Sequence, residues 1–106
     1  MNLKSKHRQI MSHSVIKNPT GNDILFGRGK STINHLGNIR FRTMIQKVKP
    51  MYKCLKNGEK SKFAKNLMNH VHSTGGRFLE KNERGQWVPA DKSKIKEKIL
   101  QALRQT

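Results

Sequence analysis

Acidic side chains are what this sequence has least of. Only 6 Asp and Glu stand against 23 Lys and Arg, a formal net charge of +17 on 106 residues. No two acids are adjacent, so paired-carboxylate chemistry has little to draw on. A single cysteine, Cys54, excludes an intrachain disulfide and points to a reducing compartment. Lying between Tyr52 and Leu55 in a helix-forming stretch, it reads as a small buried or half-buried thiol. No apolar run approaches the roughly 18 residues of a membrane span. The basic start (Lys4, Lys6, Arg8) has no apolar stretch behind it and is no secretory signal. The expectation is a soluble intracellular protein without a membrane partner, in the nucleus or a viral equivalent. Aromatics are few as well. Phe41, Phe63, Phe78 and Trp87 are all expected in the core, which leaves little for a single-strand stacking platform.

What is present is positive charge on a thin core. A chain of 106 residues makes one small domain, and with 33% hydrophobic residues it must use nearly every apolar side chain it has. Charge of one sign at this density opposes compaction and attracts polyanions. Nucleic acid is the commonest partner for that balance.

Residues 1–20 mix Lys, Ser, His, Gln and Asn with scattered apolar residues and end in the turn chemistry of Asn18-Pro19-Thr20-Gly21. They read as a disordered basic arm, with residues 21–106 as the domain. Asp23 to Phe26 is a short strand stopped by Gly27. A loop to Gly37 follows. Helix one is expected to start at Asn38 as N-cap, with Phe41, Ile45, Val48, Tyr52 and Leu55 as its apolar seam. Pro50 is expected to kink or break it. Lys56-Asn57-Gly58 stops that element, and Ser61 caps a second helix that turns Phe63, Leu67, Met68 and Val71 inward. Arg77 to Lys81 and Gln86 to Val88 flank Asn82-Glu83-Arg84-Gly85 as a hairpin. Asp91 or Ser93 caps a last helix with Ile95, Ile99, Ala102 and Leu103 on one face.

The predicted fold is α+β: a short antiparallel sheet, made of the N-terminal strand and the hairpin, with three helices around it. Its order of elements is also that of a winged helix. On that reading Ser61 to Ser73 is the recognition helix, with Lys62, Lys65, Asn66 and Asn69 facing a groove and Arg84 at the wing tip.

The loop GNDILFGRGKSTINHLGNIRFR, Gly21 to Arg42, holds the densest chemistry. Gly29-Lys30-Ser31 invites a phosphate-loop reading, but Ile24 stands where that pattern needs glycine, and Thr32 breaks the dinucleotide pattern after Gly27-x-Gly29. His70-x-His72 does not put two imidazoles on one helix face, and no Cys or acidic cluster completes a metal site. Ser31 and His35 are close in sequence but lack an orienting third group. The chain therefore reads as a non-enzyme without metal or cofactor.

The strings Asn22-Asp23-Ile24-Leu25-Phe26-Gly27-Arg28-Gly29 and Asn34-His35-Leu36-Gly37-Asn38-Ile39-Arg40-Phe41-Arg42 open a further pattern. They are followed in order by Lys49-Pro50-Met51-Tyr52, Gly75-Gly76-Arg77-Phe78-Leu79, Gly85-x-Trp87 and Gln101-Ala102-Leu103-Arg104. In these the chain resembles a domain of unknown function abundant in diatom and other stramenopile algal proteins. It departs from that pattern at Lys30 and Ser31, where glycines are usual, and at Leu36, where proline often stands. The resemblance implies one domain from about Asn22 to Arg104 and a nuclear or regulatory setting. It also draws attention to the Gly27 to Arg42 loop, and it names no ligand.

The leading functional expectation is nucleic-acid binding, double-stranded DNA ahead of RNA. Arg28, Lys30, Arg40, Arg42 and the last helix's lysines are the candidate phosphate contacts, with Asn34, His35 and Asn38 as loop donors and helix-terminus partners. Lys62, Lys65, Asn66 and Asn69 are the candidate base readers, and Arg77 and Arg84 complete the set. One alternative is a protein-interaction module in which Arg28, Arg40, Arg42 and Arg77 grip an acidic or phosphorylated segment. Another is a packaging protein that coats nucleic acid without sequence preference. The plainest alternative is charge that only keeps a structural subunit soluble. Oligomeric state stays open.

Overall fold

Asn22-Asp23-Ile24-Leu25 and Gly76-Arg77-Phe78-Leu79 are the same sentence written twice: a turn residue, a charge, two apolar residues. A computed structural model, describing residues 15–105, sets them side by side. Strand β1 (Asp23–Leu25) pairs with β2 (Arg77–Lys81), Asp23 opposite Arg77 and Ile24 opposite Phe78. The pairing is parallel, where an antiparallel sheet was expected. The connection allows it: β1 returns to β2 through three helices, long enough for the crossover that a parallel pair requires. Strand β3 (Trp87–Pro89) then pairs antiparallel with β2 through the predicted hairpin. Asn82 organises the turn by accepting from the backbone N–H groups of Arg84 and Gln86, each at 2.9 Å.

The fold is α+β, with a three-stranded sheet in the order β1-β2-β3 and four helices. The helices are α1 (Lys30–Ile33), α2 (Leu36–Lys53), α3 (Asn57–Ser73) and α4 (Lys92–Arg104). The short α1 lies in the stretch predicted to be loop. Helix α2 starts at Leu36 with His35 as N-cap, earlier than predicted, and runs unbroken through Pro50 to Lys53. Pro50 removes one backbone donor near the helix end, and burial of Tyr52 just beyond holds the last turn in place. Helix α3 begins four residues before Ser61, where the Glu59 carboxylate accepts the Lys56 N–H at 3.0 Å.

Phe78 on β2 is the centre of the core. Its ring meets Phe41 of α2 edge-on at 5.9 Å and Phe26 at 6.5 Å. Ile45 and Tyr52 of α2, Ala64, Leu67, Met68 and Val71 of α3, and Ile95, Ile99 and Leu103 of α4 close around it. Phe63 and Trp87 are only half-buried, so two of the four aromatics expected in the core lie at its edge. Cys54 caps the C-terminus of α2 and is exposed, where a covered thiol was expected.

Part of the predicted arm is folded. Ile16 N–H donates to the Trp87 carbonyl at 2.8 Å and makes a bridge to β3. Thr20 reaches the Asp23 carboxylate with its backbone N–H. Residues 1–14 of that arm, with Lys4, Lys6 and Arg8, lie outside the described residues.

Candidate functional site

Two glycines shape the loop after β1. Gly27 (φ 129°) and Gly29 (φ 110°) hold a backbone conformation that side-chain-bearing residues rarely adopt, and Arg28 stands exposed between them. Thr32, the buried residue of α1, donates its hydroxyl to the Gly29 carbonyl at 3.0 Å and ties the loop to its helix. Because β1 and β2 run parallel, this loop and the hairpin emerge at one end of the sheet. Phe26, Arg28, Thr32, Lys81 and Trp87 line a groove between them.

Several of the predicted binding residues also make hydrogen bonds within the fold. Asn38 is 8% exposed. Its amide accepts the Leu25 N–H and donates to the Leu25 carbonyl, both at 2.8 Å, so one side chain stands in for a neighbouring strand along β1. It is not the helix N-cap and presents nothing to a ligand. Arg77 is bound to Asp23 by a two-pronged pair, Nε to Oδ1 at 2.8 Å and Nη2 to Oδ2 at 2.9 Å. His35 Nε2 donates to the Thr20 carbonyl at 2.8 Å. Arg42 Nη2 donates to the Ile33 carbonyl at 2.8 Å and closes the C-terminal end of α1. Arg40 reaches the Asn22 side-chain oxygen at 3.3 Å.

The others face solvent. Arg28, Lys30 and Asn34 are exposed around α1, and Arg84 is exposed at the hairpin tip. Lys62, Lys65, Asn66 and Asn69 form one exposed face of α3, at the spacing that puts side chains on one side of a helix. On α4, Lys94 pairs with Glu80 at 3.0 Å. Lys98 departs furthest from the expected basic face. It is half-buried, its ammonium 4.9 Å from the Phe26 ring centre and 5.9 Å from that of Phe41. Burial lowers its pKa, and the nearby Arg42 charge adds to the shift.

Asp23, which the sequence reading left without a role, is the buried hub of this region. Its side chain is fully buried. Burial alone would raise its pKa, but donors from Arg77 and Thr20, with the Arg77 charge, outweigh it and leave the pKa below the ordinary 3.8. The matching starts of β1 and β2 were the sequence signal for this pair. The depressed folded value makes the unfolded chain the better proton acceptor as pH falls. Stability from the pair is therefore complete above about pH 4 and is lost as pH drops through the folded value. Urea melts between pH 3 and 7 should show an acid limb that Asp23→Asn flattens. That variant also loses about 1.5 kcal/mol at neutral pH, the low end for bonds to a charged group because Arg77 is partly solvated.

Residues 23–105 match a known family, described as a domain of unknown function (DUF6824). The chain belongs to that family. No curated protein and no solved structure matches it. The matched span of the DUF6824 domain runs from the buried Asp23 to the end of α4 and includes every candidate site residue. Among the described residues of this DUF6824 domain, no group of three or more His, Cys, Asp and Glu could hold a metal ion. No described helix is long and apolar enough to cross a membrane.

Proposed function

We propose that this domain binds nucleic acid without catalysis, double-stranded DNA in preference to RNA, by neutralising phosphates. The observation that carries the reading is positive charge without acidic partners. Among the described residues there are three ion pairs: Arg77–Asp23, Lys94–Glu80 and Arg104–Glu97. From Ile24 to Gly58 the chain has no acid at all. That stretch carries Arg28, Lys30, Arg40, Arg42, Lys47, Lys53 and Lys56, all exposed. Cations held on a rigid fold with few acids among them make a surface for a polyanion. The exposed α3 face of Lys62, Lys65, Asn66 and Asn69 has the side-chain chemistry to read purine edges, and the Gly27–Gly29 loop with Arg84 would grip the backbone. A winged-helix mode of docking belongs to this proposal.

The test is fluorescence anisotropy with labelled duplex DNA, single-stranded RNA and an acidic phosphopeptide, on the native chain and two variants. Lys62→Gln with Lys65→Gln should weaken duplex binding most on a preferred site, where these lysines read base edges, and should lower the salt slope through the two charges removed. Asn66→Ala with Asn69→Ala should cost about 1–3 kcal/mol on a preferred site and little elsewhere. No change from the asparagine pair on any sequence selects the packaging mode. Tight phosphopeptide binding, indifferent to the lysines of α3, selects the protein-interaction module.

A further inference from the structure

Four large hydrophobic side chains stand exposed among the described residues, and three of them follow one another at three-residue spacing across the junction of α1 and α2: Ile33 (53% exposed), Leu36 (47%) and Ile39 (42%). Single exposed apolar residues are ordinary, whereas a contiguous group marks a contact surface. Ile33 ends α1, Leu36 opens α2 and Ile39 follows on the same side of that helix. The tip is stiff. Arg42 holds the Ile33 carbonyl, the Ile33 N–H donates to the Gly29 carbonyl, and the Ile39 N–H donates to the His35 carbonyl.

Around this tip stand exposed Arg28, Lys30, Arg40 and Arg42, on a stretch without any acid. A second copy of this chain carries the same charge and is repelled. The complementary surface is anionic outside and apolar within. Duplex nucleic acid has that layering, with phosphates over stacked bases, and short aliphatic side chains flanked by cations can enter its minor groove between base steps. We infer that Ile33, Leu36 and Ile39 form an apolar wedge that enters the minor groove and unstacks a base step, while Arg28, Lys30, Arg40 and Arg42 hold the adjoining phosphates. The wedge rests on the nucleic-acid reading above and adds to it a deformation of the duplex.

The experiment uses the full chain and a duplex labelled at both ends for energy transfer, with 2-aminopurine placed at successive steps. Binding should bring the ends closer and raise 2-aminopurine emission at one or two steps. The combined variant Ile33→Ala, Leu36→Ala, Ile39→Ala should keep its melting temperature and bind within about tenfold of the native chain, with both signals gone. Ile33→Ser alone, at the most exposed position, should reduce both signals if the triple variant melts early. Salt-sensitive duplex binding with no bending and no emission change overturns the wedge and leaves the nucleic-acid reading standing. Absence of salt-sensitive duplex binding overturns both. Binding to anionic lipid vesicles that the triple variant loses, with duplex signals unchanged, overturns the wedge in favour of a lipid surface.

Discussion

Gly37→Ala should leave the domain largely unfolded at physiological temperature. Gly37 lies in the first turn of α2 where that helix crosses β1, and the backbones touch. A β-carbon there would be driven into the Asp23 carbonyl oxygen, 2.7 Å from its carbon and 3.2 Å from its nitrogen. No rotamer relieves this, because both colliding groups are backbone. The helix must therefore move off the strand. Doing so pulls the neighbouring Asn38 amide from Leu25 and strips two buried backbone groups of their partner. Overpacking typically costs about 1–3 kcal/mol, and each buried group left unpaired adds roughly 1–3 kcal/mol. A loss of at least about 3 kcal/mol removes a large share of a small domain's stability and lowers Tm by roughly 12–24 °C. Thermal melts followed by circular dichroism read this directly. Gly58→Ala is the control: nothing lies within 4 Å of its added carbon, and it sits in the first turn of α3. There alanine should be neutral or raise stability, by about 0.4–1 kcal/mol. A Gly37→Ala variant that melts with the native chain would show that α2 and β1 do not touch as described.

Duplex affinity should collapse as salt rises. Each phosphate neutralised releases condensed counterions, so the logarithm of the binding constant falls with the logarithm of salt at a slope near −0.9 per contact. A footprint of roughly 6–10 phosphates predicts a loss of about 10³–10⁵-fold between roughly 50 and 200 mM salt. The exposed cations from Arg28 to Lys56 and on α3 are numerous enough for such a footprint. Lys98 and Arg77 do not count toward it, since one lies over aromatic rings and the other is fastened to Asp23. Anisotropy titrations at four or five salt concentrations measure the slope. A flat dependence would end the phosphate-neutralisation reading, whatever the affinity.

The contrast between these residues explains how much was legible beforehand. Elements governed by their own sequence could be read. The spacing of Ile95, Ile99 and Leu103 marked α4, and all three are buried. Asn82 and Gly85 marked the hairpin turn, and Gly85 takes the positive φ of 75° that such a turn demands. Errors gathered at element ends, where a few tenths of a kcal/mol decide between turn and helix: the start of α3, the start of α2, and the four residues of α1. Pro50 misled because propensity measures a helix interior, and burial of Tyr52 outweighs it near an end.

The candidate site was harder to read because composition cannot tell a free cation from an engaged one. Arg40, Arg42 and Arg77 are chemically alike in the sequence, yet one meets an asparagine, one closes a helix and one clasps a buried carboxylate. Asn38 looked like a ligand donor because amides favour helix starts and loops. Its true partner, Leu25, lies thirteen residues away and comes into reach only when α2 crosses β1.

By itself, then, the sequence determined a small α+β domain, its family, its excess of positive charge and the apolar stripes of its helices. These follow from local periodicity, turn chemistry and residue counts, none of which needs a partner across space. Tertiary structure alone decided that β1 and β2 run parallel, that Asp23 is buried beneath Arg77, and that Ile33, Leu36 and Ile39 remain uncovered. Each of those depends on which distant segment the chain brings alongside, and contact between distant segments is set by packing of the whole core.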